Sequence, residues 1–176
     1  DSNQDYEWSL FVEPYHWELP AASLNKMELP IRYETFYQLS LSRGTFTSLL
    51  DQIREELSLS DKDLVLVLVD LVRELPYDET FGGEQSPETT LALGKGDCSD
   101  KSLLLATLFG ELGIQTNLVL DEVNEHAFLA FPGDEDFYYA IETTNPNGLV
   151  FEKKSLEEGQ ILVPLSPGEK TSDNQL

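Results

Sequence analysis

One stretch constrains this chain more than any other: Gly96-Asp97-Cys98-Ser99-Asp100-Lys101-Ser102-Leu103-Leu104-Leu105. Gly94 and Gly96 mark a turn, Asp97 is a favoured helix N-cap, and Asp100 stands three residues on, at the acid position of a capping box. An apolar run from Leu103 to Leu112 follows and stops at Gly113, the residue type that most often ends a helix. Cys98 is the only cysteine among 176 residues, and this reading puts it in the first helical turn. There it lies near unpaired backbone N–H groups and the positive end of the helix dipole, which favour the reactive thiolate. The alternative is a small buried hydrophobe, the commoner role of a lone cysteine. Position and capping alone leave both open.

The length accommodates one domain with a sizeable core. A hydrophobic fraction of 40%, with nine Phe, seven Tyr and two Trp, describes a globular chain. Thirty-three acids against 11 bases give a formal charge of −22. Phosphate recognition relies on Lys and Arg, so nucleic acid is excluded as an expected partner, and an anionic membrane surface is equally unfavourable. So large a charge favours solubility at the cost of self-repulsion, which high salt would screen. A single cysteine allows no internal disulfide and says nothing firm about compartment. No run approaches the roughly 20 apolar residues of a membrane span; the longest, Leu64 to Val69, is interrupted by Asp70. The chain starts at Asp1, without Met and without a signal peptide. That fits a processed or trimmed piece, and an extracytoplasmic location through a signal or anchor outside this chain is an open expectation.

Along the chain, Tyr6 to Val12 and Trp17 to Leu19 read as short strands around Pro14, and a further strand is expected at about 35–41. Residues 1–42 then form a strand-rich arm. Thr45 caps a helix carrying Leu49, Leu50, Ile53 and Leu57 at helical spacing. Ser60-Asp61-Lys62-Asp63 opens a second helix that runs to Leu75 and stops at Pro76. Its centre, LVLVLVDLV, has strand propensity, which the cap, the length and Arg73-Glu74 override. Tyr77 to Thr90, with Gly82, Gly83 and Pro87, reads as a loop that walls a cleft beside Cys98. Beyond Gly113 the texture turns to strands at Gln115–Asp121, His126–Phe131 and Phe137–Glu142, the last two joined by a turn over Pro132-Gly133-Asp134-Glu135-Asp136. Asn145 to Gly148 is another turn, Leu149–Glu152 and Ile161–Leu165 are short strands, and 166–176 reads as a disordered tail. No repeat or linker divides the chain. The expectation is one α+β domain over 1–165, its core at 45–144, with the Cys98 helix packed on an antiparallel sheet.

A cysteine nucleophile needs a base, usually histidine. The chain has two. His16 sits beside Trp17 with no helper nearby and reads as a surface or packing residue. His126 opens an apolar strand. A five-residue loop at 132–136 places Phe131 opposite Phe137 and, counting outward, His126 opposite Glu142. A carboxylate there accepts the imidazole N–H, fixes its tautomer and stabilises the imidazolium. A slip of one residue would send Glu142 to the other face and leave an ordinary polar strand end.

Thiol, histidine and acid thus occur in that order, on a helix and then on strands. With Leu75-Pro76-Tyr77, Ser86-Pro87-Glu88-Thr89-Thr90-Leu91, the Gly96–Ser102 stretch, Gly113-Ile114, Glu125-His126-Ala127 and Tyr138-Tyr139-Ala140-Ile141-Glu142-Thr143-Thr144, the chain resembles the transglutaminase-like domains of the papain-like cysteine-protease superfamily, the small prokaryotic ones above all. The resemblance covers about 75–144, with Tyr6-Glu7-Trp8 and Trp17-Glu18-Leu19 fitting loosely. It implies a papain-like core, with Cys98 as nucleophile, His126 as general base and later acid, and Glu142 as orienting acid. The family more often has Asp in the third place, and Phe128 stands where Trp is frequent. The oxyanion would meet the Cys98 backbone N–H and a second donor, for which Tyr77 and Gln85 are candidates.

The implied chemistry is acyl transfer from an amide of a protein or peptide through a thioester. Water as acceptor makes a peptidase or amidase, and a lysine amine makes a cross-linking enzyme. Hydrolysis is the expectation, because nothing marks a lysine-acceptor site. A non-catalytic protein-binding module of the same fold is the rival. No cofactor is required. Calcium at Asp97 and Asp100, acids that some bacterial relatives use at such positions, competes with plain helix capping. Zinc on Cys98 and both histidines lacks local ligand spacing. Asp97 and Asp100 oppose a thiolate while the helix dipole and His126 favour it, so the thiolate is expected chiefly as an ion pair with His126.

Overall fold

The computed structural model of the chain describes residues 27–80, 84–133, 137–145 and 151–167. Within them helices come first and strands second: α1 (Leu29–Arg43), α2 (Thr47–Leu57), α3 (Asp61–Glu74), α4 (Pro87–Leu93) and α5 (Cys98–Glu111), then β1 (Thr116–Asp121), β2 (His126–Pro132), β3 (Phe137–Ile141), β4 (Glu152–Ser155) and β5 (Gln160–Leu165). Among these residues no helix is long and apolar enough to cross a membrane.

α5 is the axis of the fold. A helix apolar on nearly every side must be covered on every side, and Ser99 through Glu111 are all buried. α1, α3 and α4 pack around it, and the sheet lies against it through β1 and β2. The sheet is antiparallel throughout, in the order β4-β3-β2-β1-β5. Successive strand residues point to opposite faces. Leu118, Leu120, Ala127, Leu129 and Ile141 therefore join Leu104, Leu108 and Phe109 of α5 in the main core. Val119, Phe128, Ala130, Tyr138 and Ala140 make a second cluster on the other face.

The residues expected as a strand at 35–41 lie inside α1. Tyr33, Phe36, Tyr37 and Ser40 are its buried residues, at i, i+3, i+4 and i+7. Aromatics favour strands in isolation, but burying one helical face against the core outweighs that preference. Pro30 sits in the first turn and Gly44, at φ +58°, ends the helix. The later part of the expected arm is thus a core helix.

α3 forms as its cap predicts: Ser60 Oγ accepts from Asp63 N at 3.2 Å. Leu64, Leu68, Val69 and Val72 are buried at helical spacing within the alternating run. α2 begins one residue later than expected, with Phe46 as N-cap. The expected 77–90 loop ends earlier, because Ser86 caps α4 and Pro87 occupies its first turn. β4 lies at Glu152–Ser155, not at 149–152. The expected strands at 6–12 and 17–19, and His16, lie outside the described residues, as does most of the expected tail. Ser166 O accepts from Gln38 Nε2 at 3.1 Å, so 166 is tied to α1.

Gly110 marks the crossing of α1 and α5. A Cβ there would lie 2.5 Å from Tyr37 Oη and 3.0 Å from Leu41 Cδ2. Tyr37 is fully buried and has no room to swing away. Gly110→Ala is expected to cost about 1–3 kcal/mol of stability, measured by urea unfolding.

Candidate active site

The thiol is presented by a capped helix start. Asp97 Oδ1 accepts from Ser99 N at 2.8 Å and Asp100 N at 2.9 Å, while Asp100 Oδ2 accepts from Asp97 N at 3.2 Å. This is the reciprocal capping box expected from the spacing. Asp100 Oδ1 also accepts from Gln85 N at 2.7 Å, which ties the preceding loop to the turn. Gly96 N donates to Pro76 O at 3.2 Å and Asp78 N donates to Gly96 O at 3.1 Å. A Cβ on Gly96 would meet Asp100 Cβ at 2.8 Å, so only glycine fits this turn without a shift. Behind it, the buried Lys101 Nζ donates to Arg73 O at 3.2 Å and Leu75 O at 2.8 Å. That ammonium satisfies carbonyls at the end of α3, where a cation also suits the helix dipole. Burial pulls Lys101 below its ordinary value, and the Glu142 charge works the other way.

The imidazole comes from the sheet. β1 and β2 pair Asp121 with His126 across a turn in which Asn124 N donates to Asp121 Oδ1 at 3.0 Å. Glu125, just before His126, holds a left-handed φ of +50°. The β2–β3 register differs from expectation: Phe131 pairs with Tyr139, not Phe137. Carried outward, it sets His126 opposite Thr144, not Glu142. The ladder runs one residue further than expected, to Pro132 opposite Tyr138, and Gly133 lies against the Phe137 backbone, where a side chain would collide. The displacement is two residues, so the face is preserved. Glu142 reaches His126 along the diagonal, Oε2 to Nε2 at 3.0 Å. Its other oxygen, Oε1, accepts from Thr144 N at 2.8 Å and Thr144 Oγ1 at 2.6 Å. Phe128 stands by the imidazole, ring centroids 5.9 Å apart.

Charge follows contact. Hydrogen bonding to Cys98, and then to Glu142, pushes His126 up to about 10 against the opposing effect of burial. Burial opposes ionisation of Glu142, and the hydrogen bonds from His126 and Thr144 outweigh it, leaving the carboxyl at about 2. Cys98 and His126 open onto a cleft of about 460 Å³ that Leu29 and Tyr33 also line. A larger hollow of about 540 Å³ lies between α2 and α3 at the other end of α5 and is lined by no nucleophilic thiol.

Residues 49–144 match the family model of the transglutaminase-like superfamily, core region. The chain belongs to that superfamily. Three solved structures of Legionella pneumophila LapG are also similar. The EGTA-treated form is 15% identical over 76% of this chain and 81% of LapG, with a TM-score of 0.46. The calcium-bound form is 16% identical over 74% and 81%, at 0.45. A third is 14% identical over 79% and 81%, at 0.44. A search of the curated proteins gives no match.

The superfamily segment contains Cys98, His126 and Glu142, and the fold brings the three together. It also contains Tyr77 and Gln85, and neither lines the Cys98 cleft. Tyr77 is half exposed and its Oη donates to Glu79 Oε1 at 2.8 Å. Gln85 is 6% exposed, and its carboxamide has no partner among the described residues. Tyr33 lies outside the superfamily segment and was missed from sequence. Burial, foremost, holds its phenol neutral, and its side chain pairs with Ser99 beside the thiol. The signal for it was the helical spacing of Tyr33, Phe36 and Tyr37, which puts that phenol on the inner face of α1.

Asp97 and Asp100 alone supply too few oxygens to complete a calcium cage. Calcium takes about six to eight oxygen ligands. Asp97 Oδ1 is committed to Ser99 and Asp100, and both oxygens of Asp100 accept backbone N–H groups. Among the described residues no cluster of three or more acids, histidines or cysteines could hold a metal.

The His126–Glu142 pair sets a pH signature. His126 is raised from its ordinary 6.5 to about 10, so its contribution is full below 6.5 and is lost as pH climbs through about 10. Glu142 is lowered from 4.5 to about 2, so its contribution is full above 4.5 and is lost as pH falls through about 2. The margin in thermal midpoint of the wild type over His126→Phe is therefore expected to be widest near pH 5–6 and to shrink steadily toward pH 10. A margin that is flat with pH would contradict the pairing.

Proposed function

We propose that this chain is a thiol-dependent hydrolase of amide bonds in a protein or peptide. Cys98 is the nucleophile, His126 the general base and acid, and Glu142 the acid that orients the imidazole. The observation that carries the reading is one imidazole held between two partners, the Cys98 side chain on one side and Glu142 Oε2 at 3.0 Å on the other. Nε2 faces Glu142, which leaves Nδ1 for the sulfur. Membership of the transglutaminase-like superfamily supports the same chemistry.

The thiolate of Cys98 attacks the carbonyl carbon, forming a C–S bond and an oxyanion. The Cys98 N–H, among the first of the helix, is the candidate first donor to that charge. Gln85, tied through its backbone N–H to Asp100 beside the thiol, is the candidate for a second donor, although its unpartnered carboxamide would have to turn into a cleft that it does not line. The C–N bond then breaks as the His126 imidazolium gives its proton to the leaving amine. Water attacks the resulting thioester, His126 takes its proton, and the C–S bond breaks to release a carboxylic acid and restore the ion pair. Asp121, Glu122 and Glu125 rim the cleft, which disfavours acidic segments of substrate. If a lysine amine replaces water, the same intermediate gives a cross-link.

The test is alkylation by iodoacetamide at pH 6, with wild type, Cys98→Ala and His126→Ala side by side. The wild type is expected to react far faster than free cysteine, with all modification on Cys98 and the excess rate lost in His126→Ala. Reactivity no different from free cysteine would sink the enzyme reading in favour of a binding module. Incorporation of a labelled amine into a glutamine peptide, without hydrolysis, would make it a cross-linking enzyme.

A further inference from the structure

Ser102, Ala127 and Thr143 repeat the arrangement of the site one layer deeper. Ser102 lies one helical turn beyond Cys98 on α5. Ala127 follows His126 on β2, and Thr143 follows Glu142. Ser102 Oγ is 3.0 Å from Thr143 Oγ1 and donates to Ala127 O at 3.5 Å. The direction of the chain follows from chemistry. A carbonyl only accepts, so the one Ser102 proton goes to Ala127 O. Thr143 Oγ1 must then donate to Ser102 Oγ. Ser102 and Thr143 are each 0% exposed, so no solvent water substitutes for a lost partner.

We propose that Ser102 and Thr143 are positioning residues, a buried hydroxyl pair that sets the spacing of nucleophile, base and acid. The inference rests on the reading of Cys98, His126 and Glu142 as one catalytic unit. Three elements carry that unit, and no backbone ladder joins α5 to the sheet. Apolar packing fixes the distance between layers but is itself non-directional. Hydrogen bonds are directional, so one hydroxyl in contact with both strand ends, at 3.0 Å to Thr143 and 3.5 Å to Ala127 O, favours one register of the layers. Thr143 also sits between Glu142 and Thr144, whose N and Oγ1 hold the carboxylate. Moving Thr143 therefore moves Glu142.

The test compares Thr143→Val, Thr143→Ser, Ser102→Ala and, as control, Thr107→Val. Thr107 is equally buried on α5, and its hydroxyl donates only to Leu103 O of the same helix at 2.9 Å. Three readouts are taken: iodoacetamide alkylation of Cys98 against pH, kcat and KM on an amide substrate, and the His126 ring signals in a chain labelled with ¹⁵N-histidine. Thr143→Val and Ser102→Ala are expected to slow alkylation about 10- to 100-fold and to lower kcat with KM held. The His126 signals should titrate at lower pH. Thr143→Ser should recover most of the rate, and Thr107→Val should leave it unchanged. A variant carrying both Ser102→Ala and Thr143→Val should be no slower than either single one, as for two parts of one chain. If Thr143→Val does not fold, Ser102→Ala carries the test. Wild-type alkylation profiles in both variants, with His126 still required, would overturn the positioning role and leave the enzyme reading standing. Loss of the His126 requirement in the wild type would overturn both.

Discussion

His126→Ala is expected to lower amide hydrolysis by about 10⁴-fold while the fold persists. In the proposed mechanism the imidazole serves both halves of the reaction, as acid toward the leaving amine and as base toward water, and the other histidine, His16, is remote in sequence. On the proposed mechanism, what remains is a thiol at a helix start, expected to bind substrate and form little thioester. The carboxylate it leaves behind limits the damage to stability. Glu142 keeps both hydrogen bonds from Thr144, and without the cation its pKa rises from about 2 in the direction that burial pushes it, so it can take up a proton instead of remaining a buried charge. Glu142→Gln separates charge from shape. Cys98 alone then holds the imidazolium, and the alkaline limb of the pH–rate profile should move from near 10 toward the ordinary 6.5. An alkaline limb unmoved in Glu142→Gln would mean that the carboxylate does not act on the ring.

Asp100→Ala is expected to cost about 2–4 kcal/mol, the largest loss of any single polar substitution around the thiol. The side chain is 2% exposed and accepts from Gln85 N and Asp97 N. Alanine leaves both N–H groups without a partner in a buried turn, which also frees the loop that walls Cys98. Asp100→Asn keeps an accepting oxygen and should lose less. pH separates the two effects. Burial, first, pushes Asp100 up to about 6 from its ordinary 3.8. A raised carboxyl binds its proton more tightly in the folded chain, so this contribution is full below 3.8 and is lost as pH rises through about 6. Asp100→Asn should accordingly gain on the wild type in thermal midpoint between pH 4 and 7. Calcium added in the same series is expected to leave the wild-type midpoint in place, because the Asp100 carboxylate is already spent on backbone donors. A rise of several degrees would reopen calcium at Asp97 and Asp100.

What sequence reveals here depends on whether local and tertiary preferences agree. Around Cys98 they do: turn glycine, capping acid and all-round apolar helix point one way, and the capping box forms as its spacing implies. In α3 a strand-like run became a helix because Ser60 and Asp63 closed its start. α1 is the opposite case. Tyr33, Phe36 and Tyr37 carry strand propensity, and only the core that they meet, which comes from residues far along the chain, selects the helix. Losing α1 meant losing Tyr33 from the site. The His126–Glu142 pairing was legible in parity but not in register. Alternation fixes which side a residue faces, whereas the step along the partner strand depends on where the turn is centred, and here the ladder extends to Pro132 opposite Tyr138. The oxyanion donors were least legible, since a side chain before the helix reaches the carbonyl, or does not, according to loop geometry that spacing does not encode.

β5 has a consequence for how the molecule is made. Gln160 Nε2 donates to Asp121 Oδ2 at 2.9 Å, across 39 positions, and Glu122 N donates to Gly159 O at 3.1 Å. Asp121 is also the acceptor that shapes the turn into His126. Protein synthesis runs from the N-terminus, so thiol, imidazole and carboxylate all leave the ribosome before the strand that braces their turn. In a nascent chain the turn into His126 therefore stays unbraced by β5 until residue 165 is free to pair.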